Sequence, residues 1–325
     1  MKYLKLSNLI LTVLAVVAGL RPFNSLGQGN TASQSNILDS TAKVLPFAPG
    51  IVNTRYDEEA TSFSPDNKTV YFFMGSVYPT ICYSQNINGQ WTTPQVASFS
   101  GKWSEMDPFV SPDGKKLFFT SNRPLPGAPQ NAANKRFELW YADNIGADNW
   151  GEPHHLDAPV NTGNESNFAP SVDGKGTLYW CAWDREGNKG VQGYYSTWLG
   201  DHYEKAKLLT IAGVSNIHDP FVAANGKYLV CFSGKDIYVS FADKDGWQTA
   251  QKLGRPVNTG DDLNSPYVSH DGKMLYFSSG RLKGFYKRNP ENPALSYDEL
   301  VKENDNLFNG SGNILMVPVN LPDGR

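Results

Sequence analysis

Carboxylates recur just ahead of five apolar runs in this chain. Asp57, Glu58 and Glu59 precede the first run, and Glu105 and Asp107 the second. Glu165 and Asn167 precede the third, His218 and Asp219 the fourth, and Asp261, Asp262 and Asn264 the fifth. Gathered at one mouth, such groups support three kinds of chemistry. Two carboxyl groups about 5–9.5 Å apart can protonate and attack a glycosidic bond, with Asp107, Glu165 and Asp219 as the candidates. A ring of oxygen ligands can hold a cation, Ca²⁺ above all. The same acceptors can receive hydrogen bonds from the hydroxyls or amines of a bound partner, with Tyr78, Trp103 and Trp183 as stacking surfaces. Against all three stands a structural use: acids before strands cap turns, and the Asp of "DPF" is suited to bond backbone amides across neighbouring strands. Arg123, Arg185 and Arg281 end the runs that follow. They are placed to pair with the acids and hold the mouth, or else to take an anionic sugar.

These residues matter together only if the chain brings them together. Five stretches share one grammar: "ATSFSPDNKTVYFFMG", "MDPFVSPDGKKLFFTSNR", "NFAPSVDGKGTLYWCAWDR", "HDPFVAANGKYLVCFSG" and "NSPYVSHDGKMLYFSSGR". Each is a short apolar strand, a turn of Asp or Asn with Gly, and a strand rich in Val, Leu, Tyr and Phe. That is a β-hairpin. A third strand follows each ("TICYSQ", "FELWYAD", "GYYSTW", "DIYVSFA", "NILMVPV"), and four units continue into a fourth that opens on Trp91, Trp150, Tyr203 or Trp247. Four-strand units in tandem are propeller blades. The fifth unit lacks its outer strand, and "TAKVLPFAPGIVNT" near the N-terminus reads as the missing piece. Pairing there closes the ring and removes an open edge.

The phrase "PVNTG" occurs at Pro159–Gly163 and Pro256–Gly260, with "IVNTR" at Ile51–Arg55. It sits where an outer strand crosses to the next inner strand. Asn there is expected to take the turn conformation and Thr to satisfy a backbone group. Two inserts, "NRPLPGAPQNAANK" in blade two and a longer one in blade five, project from the same face. Within the second, "LSYDELVKEN" predicts a short helix with Ser296 as N-cap and Glu299 completing a capping box. Loops enlarged on one face mark where a ligand or partner lands.

Forty per cent apolar and 13% aromatic residues supply a substantial core, and a net charge of −3 gives no footprint for nucleic acid. Lys2 and Lys5, the apolar run Leu9–Leu20, and Ser25 and Gly27 form a secretory signal peptide with cleavage expected after Gly27. Residues 28–41 are expected to be a flexible segment, and residues 42–325 one domain with no membrane span. Cys82, Cys181 and Cys231 each lie within a strand-like run and read as buried hydrophobes. His154 and His155 are neighbours in an outer strand, so they point to opposite faces and do not share a metal. No P-loop, HExxH or Ser-His-Asp order is present.

The stretch "SPDGKKLFFTSNRP" at Ser111–Pro124 resembles the TolB-like, WD-repeat-like propeller repeat of exported bacterial proteins. "SPDNKTVYFF" and "SHDGKMLYFSSGR" are weaker copies, and "SVDGKGTLYW" and "AANGKYLVCF" degenerate ones. The resemblance spans residues 43–319 and implies a propeller. It implies no single function, since binding proteins and enzymes share the unit. TolB itself is six-bladed; five hairpins here predict five blades, with six as the alternative. Five-bladed propellers include the arabinanase-like enzymes, whose acids project into the channel.

The sequence thus predicts an all-β, five-bladed β-propeller, secreted or periplasmic, whose funnel face recognises an envelope protein or a glycan. The expected binding set is Glu58, Glu59, Glu105, Asp107, Glu165, Asn167, His218, Asp219, Asp262 and Asn264, with Arg123 and Arg281. The alternative is a glycoside hydrolase of arabinanase-like build. No cofactor is expected beyond Ca²⁺.

Overall fold

A computed structural model describes residues 37–38, 41–146, 149–260, 262–281, 290–291 and 293–325. The expected signal peptide and most of the 28–41 segment lie outside the described residues, as does Asp261. Residues 36–325 form one compact unit.

Five antiparallel sheets follow one another along the chain. Their inner strands are Glu58–Phe63, Glu105–Val110, Ser166–Val172, His218–Val222 and Leu263–Val268. Each packs against the next, and the fifth packs against the first, so the sheets circle one axis as a five-bladed propeller. The second strands are Thr69–Met74, Lys116–Ser121, Leu178–Trp183, Tyr228–Ser233 and Met274–Ser279. The third are Thr80–Ile87, Glu138–Gly146, Val191–Ser196, Asp236–Asp243 and Asn313–Pro318.

The hairpins form for a local reason. In "SPDGK" the Asp113 carboxylate accepts from Ser111 Oγ at 2.7 Å and from the Lys115 amide at 3.1 Å, while Ser111 Oγ accepts from the Lys116 amide at 2.9 Å. Ser64 with Asp66 and Ser269 with Asp271 repeat this arrangement. At Gly272 the turn also needs glycine: a Cβ would meet the Pro322 carbonyl oxygen at 2.3 Å.

Outer strands are shorter than their sequence runs. Blade one has only Gln90–Trp91 and Gln95–Val96, and blade four only Gly246–Trp247 and Gln251–Lys252. A serine of the third strand spans the break. Ser84, Ser196 and Ser240 each donate to an outer-strand carbonyl, of Thr92, Glu204 and Gln248, at 2.6 Å.

Ring closure occurs at the predicted place. Leu45 pairs with Met316 and Pro46 with Leu315, so the N-terminal strand completes blade five. Leu38 bridges Val319 beyond it, inside the segment expected to be flexible. Phe47 is buried at this seam, with edge contacts to Phe63, Trp91 and Tyr276 at ring-centre distances of 5.3–5.7 Å. The helix Tyr297–Asn304 has the expected Ser296 cap and capping box with Glu299. No described helix is long and apolar enough to cross a membrane. Cys82, Cys181 and Cys231 are free and buried.

Candidate functional site

The inner strands all start at one face, called the upper face here, and the links and inserts gather there. Arg55 of the first link pairs with Asp305 of the blade-five insert at 2.8 Å, and Asn309 donates to the Arg55 carbonyl at 2.8 Å.

The VNT phrase is a staple. Asn161 accepts from the Leu139 amide at 3.0 Å and donates back to the Leu139 carbonyl at 2.8 Å, and Asn258 does the same with Ile237 at 2.9 and 3.0 Å. Asn53 accepts from the Ile314 amide at 2.7 Å and donates to the Ile314 carbonyl at 2.6 Å. Each also donates to an outer-strand carbonyl, of Phe47, Leu156 or Leu253. The amide side chain thus binds third strand to outer strand. None of the three has left-handed backbone, contrary to the turn role expected from sequence. The neighbouring valines, Val52, Val160 and Val257, are buried.

The rim acids turn inward to this staple. Thr54 and Thr162 donate to Glu58 and Glu165, and Thr54 Oγ1 also accepts from the Tyr56 amide at 3.1 Å, the backbone role expected from sequence. Glu165 pairs with the buried Arg185 at 3.0 Å, which also donates to the Val160 and Pro159 carbonyls at 2.6 Å and lies over the Trp180 and Tyr194 rings. Asn167 sits buried beside it, accepting from Trp180 Nε1 at 2.9 Å. Glu105 is buried against Arg123 and receives Ser121 Oγ at 3.3 Å. Arg281 donates to the Val257 carbonyl at 3.0 Å and to Thr259 at 3.2 Å. The predicted Arg–acid pairing is therefore present for Arg123 and Arg185, and Arg281 clamps the link. Burial lifts the Glu58 carboxyl above its ordinary range, with the Thr54 bonds partly offsetting it. Asp262 lies in solvent, 4.0 Å from Lys235.

Two of the acids border the central channel, Asp107 and Asp219, while Glu59 packs between the first and fifth blades against Asn264 and Gly312. Their setting is a feature that sequence reasoning missed. Every inner strand carries a bulge at one register position, between Glu59 and Ser62, Met106 and Phe109, Phe168 and Ser171, His218 and Phe221, and Asn264 and Tyr267. The first bulged residue is left-handed in all five: Ala60, Asp107, Ala169, Asp219 and Ser265, with φ between 46° and 54°. Non-glycine residues adopt this conformation only when their surroundings impose it. Here the ring itself imposes it. Asp107 Oδ2 accepts from the Ala169 amide at 3.0 Å and from Thr120 Oγ1 at 3.1 Å. Asp219 Oδ2 accepts from the Ser265 amide at 2.9 Å, and Ser278 Oγ accepts from the Ala60 amide at 3.0 Å. Each bulge on one blade is tied to its neighbour. A signal was present in the sequence: Pro108, Pro170, Pro220 and Pro266 stand second in four of the bulges, and proline inside a strand marks a bulge.

Below the ring the channel is plugged. Phe109, Phe221 and Tyr267 meet there, with Phe221 and Tyr267 ring centres 4.9 Å apart. The space these residues line is about 40 Å³, bordered by Asp107, Asp219, Thr61 and the four bulge prolines. That volume takes a few waters and is far below a ligand pocket.

Burial dominates the electrostatics. It pushes Asp107 up to about 7, helped by the Asp219 charge, and raises Asp219 as well. Glu59 is pushed up to about 7 by burial first and the Asp57 charge second, although Asn264 Nδ2 donates to it at 3.1 Å. Gly312 lies directly over this pair: its amide donates to Asp57 at 2.5 Å, and a Cβ there would come within 2.3 Å of Glu59. His218 is lowered by burial and sits edge-on to Phe232 at 5.5 Å. Among the described residues no group of three or more His, Cys, Asp or Glu side chains is placed to hold a metal ion. Of the candidate catalytic trio, Asp107 and Asp219 share the channel and Glu165 is withdrawn into its ion pair.

The exposed aromatics were only partly anticipated. Tyr56, Tyr78, Trp183 and Tyr297 are 50%, 77%, 55% and 78% exposed. On the upper face Tyr56 stands on a link, Tyr78 on a loop, Trp183 at a strand end and Tyr297 at the start of the insert helix.

No family model matches this sequence, and no curated protein matches it. Solved structures do match. An α-L-arabinofuranosidase from Lactobacillus brevis is 14% identical, with 84% of this chain and 94% of that chain covered and a TM-score of 0.51. A gluconolactonase from Xanthomonas campestris is 13% identical over 89% of this chain and 93% of its own, at a TM-score of 0.49. TolB from Acinetobacter baumannii is 18% identical over 82% of this chain, at a TM-score of 0.45, and the chain covers 55% of its length. Likeness at these identities is likeness of fold.

Proposed function

We propose that this chain is an exported binding module that recognises a glycan or an envelope protein through its upper face. The observation that carries this reading is that four exposed aromatic side chains, Tyr56, Tyr78, Trp183 and Tyr297, stand at upper-face positions. Tyr and Trp give large contact area at low conformational cost, which is why they anchor recognition surfaces. The channel acids support the same division of labour, because their hydrogen bonds run to neighbouring blades. The test is a glycan array, together with capture of partners from envelope extract, using the mature chain beside Tyr78→Ala and Trp183→Ala variants. A specific glycan or protein retained by the parent and lost by both variants supports the proposal. Binding that survives both changes removes the upper face from recognition.

A second reading is favoured by one observation. Carboxyls with pKa near 7, as at Asp107 and Glu59, are of the kind a glycosidase uses as its general acid. A reporter-glycoside screen with Asp107→Asn and Asp219→Asn controls checks it. Hydrolysis unaffected by both substitutions would end the assignment.

A further inference from the structure

A second cavity lies away from the channel, between the strand leaving blade one and the body of blade two. Its volume is about 470 Å³, within the range of small-ligand sites. Trp140 and Trp150 are buried in its wall, and Trp103 is half-buried at its side. Trp150 is fixed from behind, its Nε1 donating to Tyr71 Oη at 3.1 Å and its carbonyl accepting from Ser98 Oγ at 3.1 Å.

The charged lining is equally set. Arg123 Nε donates to Ser121 Oγ at 3.3 Å and Nη2 donates to the Phe99 carbonyl at 3.1 Å and to Glu105. Those bonds lock the guanidinium plane. Its Nη1 has no hydrogen-bond partner among the described residues. Lys102 is exposed at the same wall, its ammonium 5.7 Å over the Trp103 ring and without an acidic partner among the described residues. Among the described residues Glu152 is the single acidic side chain of the lining.

We infer that this pocket binds a carboxylated sugar, such as a uronic-acid unit of an acidic glycan. Three requirements meet in that ligand class. Its carboxylate matches Lys102 and the free amino group of Arg123. Its hydroxyls supply donors for Glu152, which would repel a simple anion. Its C–H face stacks on an indole. Arg123 is already paired with Glu105, so a neutral sugar leaves the Lys102 charge and the open Arg123 Nη1 unanswered, and an apolar ligand leaves the whole polar lining unanswered.

The three tryptophans provide the assay. Titration of the mature chain with digalacturonate, followed by intrinsic fluorescence and calorimetry, is expected to saturate in the millimolar range or below. Lys102→Glu, a change at an exposed side chain, should weaken binding about tenfold, the scale of one charge-assisted contact. Trp103→Ala should weaken it and reduce the fluorescence response. Cellobiose and acetate should each bind at least about tenfold more weakly. Trp183→Ala, at the second-strand end of blade three and outside this cavity, should leave the titration unchanged, which separates this site from the exposed aromatics proposed above. No saturation with digalacturonate, equal response to cellobiose or acetate, or unaltered affinity in Lys102→Glu would overturn the assignment.

Discussion

Replacing Asp107 by asparagine should stabilise the protein above neutral pH, although it deletes a carboxylate that makes two hydrogen bonds. Asparagine keeps the shape, and its Oδ1 can accept from the Ala169 amide and Thr120 Oγ1 as the aspartate does. What it removes is the cost of ionising a buried acid. An aspartate titrates near 3.9 in an unfolded chain, whereas burial holds Asp107 up to about 7. Across that window the folded protein keeps a proton that the unfolded chain has released, so stability falls as pH rises from about 4 to about 7 and is level beyond. At about 1.4 kcal/mol per pH unit, the ceiling is about 4 kcal/mol. Asp107 retains some solvent contact, and screening reduces the working value to about 2 kcal/mol. Urea denaturation of parent and variant at pH 4.5 and pH 8 measures it. The variant should match the parent at the lower pH and gain about 2 kcal/mol at the higher. A loss of similar size at both values would mean that Asp107 is an ionised tie whose charge the ring requires.

Three further outcomes follow from the same geometry. Asn258→Ala leaves the Ile237 amide and carbonyl and the Leu253 carbonyl without their partner and should cost about 2–4 kcal/mol in chemical denaturation. His155 stands between Glu138 and Asp157; burial pulls its pKa down, but the two acid partners outweigh this and raise it. The stability it contributes is present below about 6.5 and is lost as pH rises through the raised folded value, so His155→Gln should flatten the thermal midpoint against pH above neutrality. Phe47→Ala empties the closure seam between the first and last blades and should cost about 3–5 kcal/mol, with a lowered unfolding midpoint as the readout.

The blades were legible because their determinants are local. "SPDG" carries its own side chain–backbone bonds, and the alternation around it sets two strands regardless of what lies far away. Closure by residues 45–46 was legible from a deficit, a fifth unit one strand short. The helix after Ser296 was legible because a capping box is a four-residue pattern. The staple was not, since Asn53 bonds a residue 261 positions away and nothing near Asn53 announces Ile314. The depth of Glu105 and Glu165 was hidden for a similar reason. Pairing with Arg123 and Arg185 could be guessed from strand ends, but carboxylates at 0% and 5% exposure follow only from the way the link folds over them. The bulge ring was written in four prolines at one register position, yet each alone looks like an ordinary edge residue.

That ring bears on both functional readings. A tie between blades needs a fixed acceptor, and a general acid needs a proton and a path to substrate. Asp107 meets the first need with Oδ2 alone, leaving Oδ1 without a hydrogen bond among the described residues. A proton on Oδ1 would therefore leave both ties intact, so the structural and acid roles do not compete for the same atom. Access decides between them. The aromatic rings of Phe109, Phe221 and Tyr267 fill the channel below, and the space of about 40 Å³ above them holds water but no sugar ring. Chemistry at Asp107 on a glycan would require the substrate to enter from the upper face and the bulges to part. The bulges are the elements that bond the blades to one another, so opening them would loosen the ring at its centre. Recognition by the rim aromatics makes no such demand, because Tyr56, Tyr78, Trp183 and Tyr297 already stand in solvent.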